Sequence, residues 1–85
     1  MEQSTSQIRD WICKYIADIL QVPVHDIATD VSFDRLGLDS ASAVALVGDL
    51  EEWLGCDIDP TLPHDFPTVD SLASELGKLG QASSA

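Results

Sequence analysis

Basic residues are scarce in this chain of 85 residues, which has four Lys and Arg against fifteen Asp and Glu and a net charge of −11. No Lys or Arg lies between Arg35 and Lys78, an interval that holds Asp39, Asp49, Glu51, Glu52, Asp57, Asp59, Asp65, Asp70 and Glu75. This charge argues against nucleic acid or an anionic membrane surface as a partner. The acidic residues are interpreted either as solvated helix faces or as a docking surface for proteins with basic patches.

Cysteine, histidine and long hydrophobic runs are also sparse. Cys13 and Cys56 lie far apart, and neither they nor the isolated His25 and His64 have metal-ligand spacing, so no metal site is predicted. The chain has no signal peptide pattern and no run of about 18 apolar residues, so no membrane association is expected. With only two cysteines, the predicted location is the cytoplasm.

Hydrophobic periodicity predicts three longer helices. The first carries an apolar stripe and ends near Val22 and Pro23, the second runs from Ser40 to Leu54, and the last follows Thr68. The predicted stripes are Ile8, Trp11, Ile12, Tyr15, Ile16, Ile19 and Leu20; then Ala43, Leu46, Val47, Leu50 and Leu54; then Val69, Leu72, Ala73, Leu76 and Leu79. Ser4 and Gln7 have the spacing of a capping box, and Gly55 is a natural helix stop.

The connections between these helices add less regular structure. The long connection from Val24 to Leu38 is expected to be pinned to the bundle by Val24, Ile27, Val31, Phe33, Leu36 and Leu38. Ser32 caps a short helical turn within it, and a short helix is predicted around residues 62–66. The expected fold is all-α, a small four-helix bundle with three longer helices and one short one. Residues 1–85 form a single domain, ordered over about 6–80, with fraying at Gly77 and flexible ends at 1–5 and 81–85.

The segment before the second long helix places the hydroxyl of Ser40 at the start of that helix. Gly37 tolerates positive φ, and Asp39 is a favoured N-cap for a helix that starts beside Ser40. A hydroxyl there lies near unpaired N–H groups and the positive end of the helix dipole, which suits a phosphate ester. From these residues alone, a simple helix cap remains the alternative interpretation. No base lies near Ser40 in the sequence, so a Ser-His-Asp hydrolase is not favoured.

The chain resembles an acyl carrier protein, specifically the carrier domains of polyketide synthases, from about Ile8 to Leu79. The residues that carry the resemblance are Phe33, Leu36, Gly37, Leu38, Asp39 and Ser40; Leu46, Leu50, Glu51, Leu54 and Gly55; Pro60, Thr61 and Leu62; and Phe66, Pro67, Thr68, Val69 and Leu72. The resemblance implies a non-catalytic carrier whose Ser40 receives 4′-phosphopantetheine from coenzyme A. It also implies that Asp39 helps a magnesium-dependent phosphopantetheinyl transferase to hold its metal and substrate.

The resemblance further implies what the carrier does and which enzymes it meets. Acyl intermediates would be held as thioesters on the arm and presented to enzymes of polyketide or related fatty acyl biosynthesis. The implied partners are a ketosynthase and an acyltransferase or acyl-activating ligase, with the carrier acting as a monomer. The family's recognition surface corresponds here to Leu38, Ala41, Val44, Ala45, Gly48, Glu51 and Glu52.

Two positions depart from the family pattern, and two alternative functions remain open. Ala41 stands where a larger aliphatic residue is usual, and Gly48 stands where a bulky contact is frequent, which predicts altered partner preference. One alternative is a peptidyl carrier of a nonribosomal peptide synthetase. Asp39 directly before the serine and the acidity of the chain favour an acyl carrier over this alternative. The other is an acidic helical docking module that is not a carrier.

Overall fold

The computed structural model describes residues 4–83, with side chains through Lys78. Over this range the chain forms five helices and one 3₁₀ turn: α1 (Thr5–Leu20), the turn (Val24–Asp26), α2 (Phe33–Leu36), α3 (Ser40–Leu54), α4 (Leu62–Asp65) and α5 (Val69–Ser83). The described residues contain no strand, only an isolated antiparallel bridge between Ser32 and Thr68. The predicted all-α class is confirmed, and α2 is the short turn expected after Ser32.

Both ends of α1 are fixed by local interactions. The hydroxyl of Ser4 accepts from the backbone N–H of Gln7 at 3.1 Å, and the Gln7 side chain accepts from the Ser4 N–H at 2.9 Å. This is the capping box expected from the sequence. The helix ends at Gln21, whose φ of 60° is left-handed, so it stops before Pro23. Ile19, predicted to lie in the buried stripe, is instead 38% exposed.

One hydrophobic core joins the three long helices and the long connection. Its buried members are Ile8, Ile12, Cys13, Ile16, Ala17, Ile27, Phe33, Leu38, Leu46, Val47, Leu50, Ile58, Val69, Leu72, Ala73 and Leu76. The rings of Trp11 and Trp53 stack at the edge of this core, with their centroids 5.3 Å apart. The three predicted apolar stripes therefore face one another, as a bundle requires.

The long connection between α1 and α3 is tied to the start of α5. Phe33 donates its backbone N–H to the Pro67 carbonyl at 2.7 Å, and Asp70 donates its N–H to the Thr29 carbonyl at 3.0 Å. The Asp70 carboxylate also accepts from the Thr29 hydroxyl and pairs with Arg9 of α1 at 3.5 Å. Three parts of the chain thus meet at one carboxylate, and the connection is held across the bundle as predicted. Val24 is the exception, since it is 42% exposed.

Gly77 lies inside α5, although the sequence predicts fraying there. It is buried, and a Cβ at this position would collide with the hydroxyl of Thr5. The close approach of α1 and α5 therefore favours glycine here, since a larger residue would displace the Thr5 side chain. Both helices also extend beyond the expected ordered range, because α1 begins at Thr5 and α5 continues through Ser83. Residues 1–3 and 84–85, and the side chain of Leu79, lie outside the part of the chain that the structure describes.

Candidate functional site

The backbone between α2 and α3 reverses sharply and delivers Asp39 and Ser40 to the surface. Gly37 adopts a φ of 106°, and its N–H donates to the carbonyls of Phe33 and Asp34, which closes α2. Leu38 then donates its N–H to the Phe33 carbonyl at 3.0 Å and buries its side chain in the core. The reversal depends on a residue that accepts positive φ, as expected for Gly37.

Asp39 is the N-cap of α3, as the sequence predicts. Its carboxylate accepts from the backbone N–H of Ser42 at 2.8 Å. This hydrogen bond lowers the pKa of Asp39 from its ordinary value, because it stabilises the charged form. The carboxylate is therefore ionised at neutral pH and places a negative charge beside Ser40.

Ser40 is the first residue of α3 and is exposed. Beside it opens a groove of about 540 Å³, which α2, α3 and α4 line together with their flanking residues. One side of the groove is lined by residues of α2 and the start of α3, including Asp34, Leu38 and Ser40. The other side is lined by residues in and just before α4, namely Pro60, Pro63 and His64. The hydroxyl of Ser40 is thus accessible from solvent at the mouth of an open groove.

The predicted docking residues do not all share one environment. Ala41, Val44, Ala45 and Gly48 form what we call the α3 face, which is flat because its side chains are small. Val44 is 61% exposed, and a Cβ at Gly48 would meet no described atom within 4 Å beyond its neighbours and the backbone of its own helix. Packing among the described residues therefore does not explain why position 48 is glycine.

The other three predicted docking residues, Leu38, Glu51 and Glu52, differ from the α3 face in their exposure or contacts. Glu52 is exposed. Leu38 is 5% exposed and packs in the core, so its side chain does not contribute to this surface. Glu51 is half-buried, and its carboxylate accepts the backbone N–H of Ile58 at 2.7 Å. Glu51 therefore has a partner within the chain that the sequence pattern did not reveal.

Nothing in the sequence placed His64 near Ser40. The two residues are 24 positions apart, yet both line the same groove, to which the start of α3 and α4 both contribute residues. The signal available was the cluster of prolines around it, which indicates a rigid connection but not its path. His64 adds an exposed imidazole to a groove that Asp34 and Asp39 also line.

The family model described as "Phosphopantetheine attachment site" matches residues 10–76, which include Asp39 and Ser40. Acyl carrier protein TtuC of Teredinibacter turnerae is 40% identical over 55 residues, which are 65% of this chain and 63% of that protein. Polyketide synthase PksL of Bacillus subtilis is 34% identical over 64 residues, which are 75% of this chain and 1% of that protein. This chain thus spans less than two thirds of either relative.

A solved structure agrees with these relatives. The solution structure of Asl1650, an acyl carrier protein from Anabaena sp. with a variant phosphopantetheinylation-site sequence, matches with a TM-score of 0.87 at 37% identity. The match covers 94% of this chain and 92% of that one.

The structure fits the group that this family takes, 4′-phosphopantetheine, because an exposed hydroxyl opens a 15-residue helix beside an open groove. None of the helices among residues 4–83 is long and apolar enough to cross a membrane. The relatives favour an acyl carrier over a peptidyl carrier. The chain belongs to the phosphopantetheine-binding carrier family, as a carrier domain of the polyketide synthase type.

Proposed function

We propose that Ser40 is the attachment residue and that the chain carries acyl groups to successive enzymes of polyketide biosynthesis. When attached, 4′-phosphopantetheine supplies a terminal thiol that holds the acyl group as a thioester on a long arm. The observation that carries the proposal is the position of Ser40, exposed as the first residue of α3 and next to an ionised cap. A phosphopantetheinyl transferase is the enzyme that would modify it.

The residues around Ser40 support its role as an acceptor of a phosphoryl group. The Ser40 oxygen would bond to the phosphorus that bears pantetheine, the bond to adenosine 3′,5′-bisphosphate in coenzyme A would break, and the hydroxyl proton would leave. The positive end of the α3 dipole would favour the new phosphodiester at this position. Asp39 lies beside Ser40 with its charge exposed, which is suitable for a metal ion held by the transferase.

Charge and tethering support the proposed partners, namely the transferase, a ketosynthase and an acyltransferase or acyl-activating ligase. A net charge of −11 favours enzymes with basic docking patches and makes encounter sensitive to salt. Because the cargo would be tethered, weak and brief docking on the α3 face suffices for delivery. Cys13 and Cys56 are both free thiols, which supports a cytoplasmic location for this chemistry.

The modification itself tests this function. Purified chain is incubated with coenzyme A, magnesium and a phosphopantetheinyl transferase of broad specificity, and its intact mass is measured before and after. We expect a gain of one phosphopantetheine per chain. A folded chain that gains nothing with an active transferase would contradict the proposal and favour an acidic docking module without an arm. A known carrier protein treated in the same way shows that the transferase is active.

A further inference from the structure

Glu51 makes an interaction that its position on α3 does not suggest. Its carboxylate oxygen Oε2 lies 2.7 Å from the backbone nitrogen of Ile58, seven residues later in the chain. Ile58 is 5% exposed, and its N–H donates at a partly buried position where the side chain enters the core. A backbone donor in such a place needs a partner within the chain, and Glu51 supplies it.

The hydrogen bond holds the connection that leads to the groove. Gly55 ends α3 with a φ of 73°, and the chain then returns past Glu51 to Ile58. Immediately after Ile58, the Asp59 carboxylate accepts from the N–H of Thr61 at 2.9 Å and from its hydroxyl at 2.7 Å. A fixed turn therefore follows directly from the residue that Glu51 holds, and it leads into α4.

This connection and α4 form one side of the groove beside Ser40. Pro60, Pro63 and His64 all line the groove, and each follows Ile58 within a few residues. The other parts of the lining come from α2 and from the start of α3, so the connection is one of the surfaces that surround Ser40. The position of the connection therefore affects how well a transferase fits.

We propose that Glu51 is a positioning residue, which holds the connection between α3 and α4 in place and so shapes the surface that the phosphopantetheinyl transferase meets. The proposal rests on the proposed function of Ser40. It separates Glu51 from Glu52, its exposed neighbour with the same charge, which has no such contact among the described residues. Glu51 acts through a hydrogen bond to its own chain, whereas Glu52 is free to act through its charge.

Four variants distinguish a hydrogen bond from a charge: Glu51→Ala, Glu51→Gln, Glu52→Ala and Glu52→Gln. Glutamine keeps an oxygen that accepts an N–H but removes the charge, and alanine removes both. For Glu51→Ala we expect amide hydrogen exchange at Ile58 to accelerate about tenfold, as loss of a hydrogen bond to a charged group implies. Glu51→Gln should accelerate exchange by a smaller factor, about two- to fivefold, because a neutral hydrogen bond replaces one to a charged group. Neither Glu52 variant should change exchange at Ile58.

The kinetics of phosphopantetheinylation provide the second measurement. For Glu51→Ala we expect KM to rise about three- to tenfold with kcat unchanged. The substitution would weaken binding of the chain to the transferase, but it would not alter the transfer step. Glu51→Gln should restore KM, whereas a simply misfolded fraction would lower kcat instead. Equal losses of affinity in Glu51→Gln and Glu51→Ala, with normal exchange at Ile58, would overturn the proposal and assign Glu51 to charge steering. If the wild type accepts no arm, the proposed function fails, but the exchange measurement still decides whether Glu51 holds Ile58.

Discussion

Ser40→Ala is expected to abolish phosphopantetheinylation completely while leaving the fold intact. The substitution removes the only atom to which the arm would bond. Ser40 is exposed, and the cap of α3 is made by Asp39 and the backbone N–H of Ser42, neither of which depends on the Ser40 hydroxyl. We therefore expect the free energy of unfolding to change by less than about 0.5 kcal/mol. Intact mass measures the modification, and urea denaturation followed by circular dichroism measures the stability.

Ser42→Ala is the matched control for this prediction. Ser42 lies two residues further along α3, and its backbone N–H still donates to Asp39 after the substitution. This variant should accept one arm per chain. Modification of Ser40→Ala would contradict the assignment of Ser40, and a loss of helix content in that variant would show that the serine is needed for the fold.

Among the variants considered, Phe33→Ala is expected to lower the free energy of unfolding most. Phe33 is 5% exposed in the core, and its backbone joins the long connection to Pro67 at 2.7 Å. Removing a buried phenylalanine ring costs about 3–5 kcal/mol, which is a large part of the roughly 5–15 kcal/mol that stabilises a small domain. The backbone hydrogen bonds of residue 33 with Leu38 and Pro67 do not involve the ring, so the loss of stability reports the packing of the ring itself. Urea denaturation should show a lower midpoint with an unchanged slope.

Val44→Ala supplies the contrast, because Val44 is apolar but 61% exposed on the α3 face. Its stability should stay within about 0.5 kcal/mol of the wild type. A Phe33→Ala variant that loses less than about 1 kcal/mol would show that the core does not depend on this ring, since a tightly packed site loses more. The placement of the Phe33 ring in the core would then be wrong.

The sequence alone was sufficient for features that depend on near neighbours in the chain. The capping box of Ser4 and Gln7, the cap at Asp39 and the left-handed glycines at 37 and 55 are set by side chains and backbone within three or four residues. Helical periodicity likewise located most of the core. These are short-range effects, and the residue types involved have few other roles at such positions.

The sequence was not sufficient where two distant segments meet. Gly77 looked like a frayed end because its contact with Thr5 depends on how α1 and α5 pack. Leu38 and Glu51 are predicted docking residues by their resemblance to the family's recognition surface, and the sequence did not show that Leu38 is buried in the core or that Glu51 accepts the Ile58 N–H. His64 gave no indication that it shares a groove with Ser40. Each of these depends on the path of a connection, which local propensity does not determine.

Peptide mapping of the modified chain tests the attachment at Ser40 most directly. Trypsin cleaves after Lys and Arg, so one peptide, residues 36–78, contains Ser40 together with Ser42, Ser71 and Ser74. Fragmentation of this peptide by tandem mass spectrometry locates the added mass on a single residue. We predict that the phosphopantetheine lies on Ser40. An arm on Ser42, on another serine or on a residue outside this peptide would contradict the account.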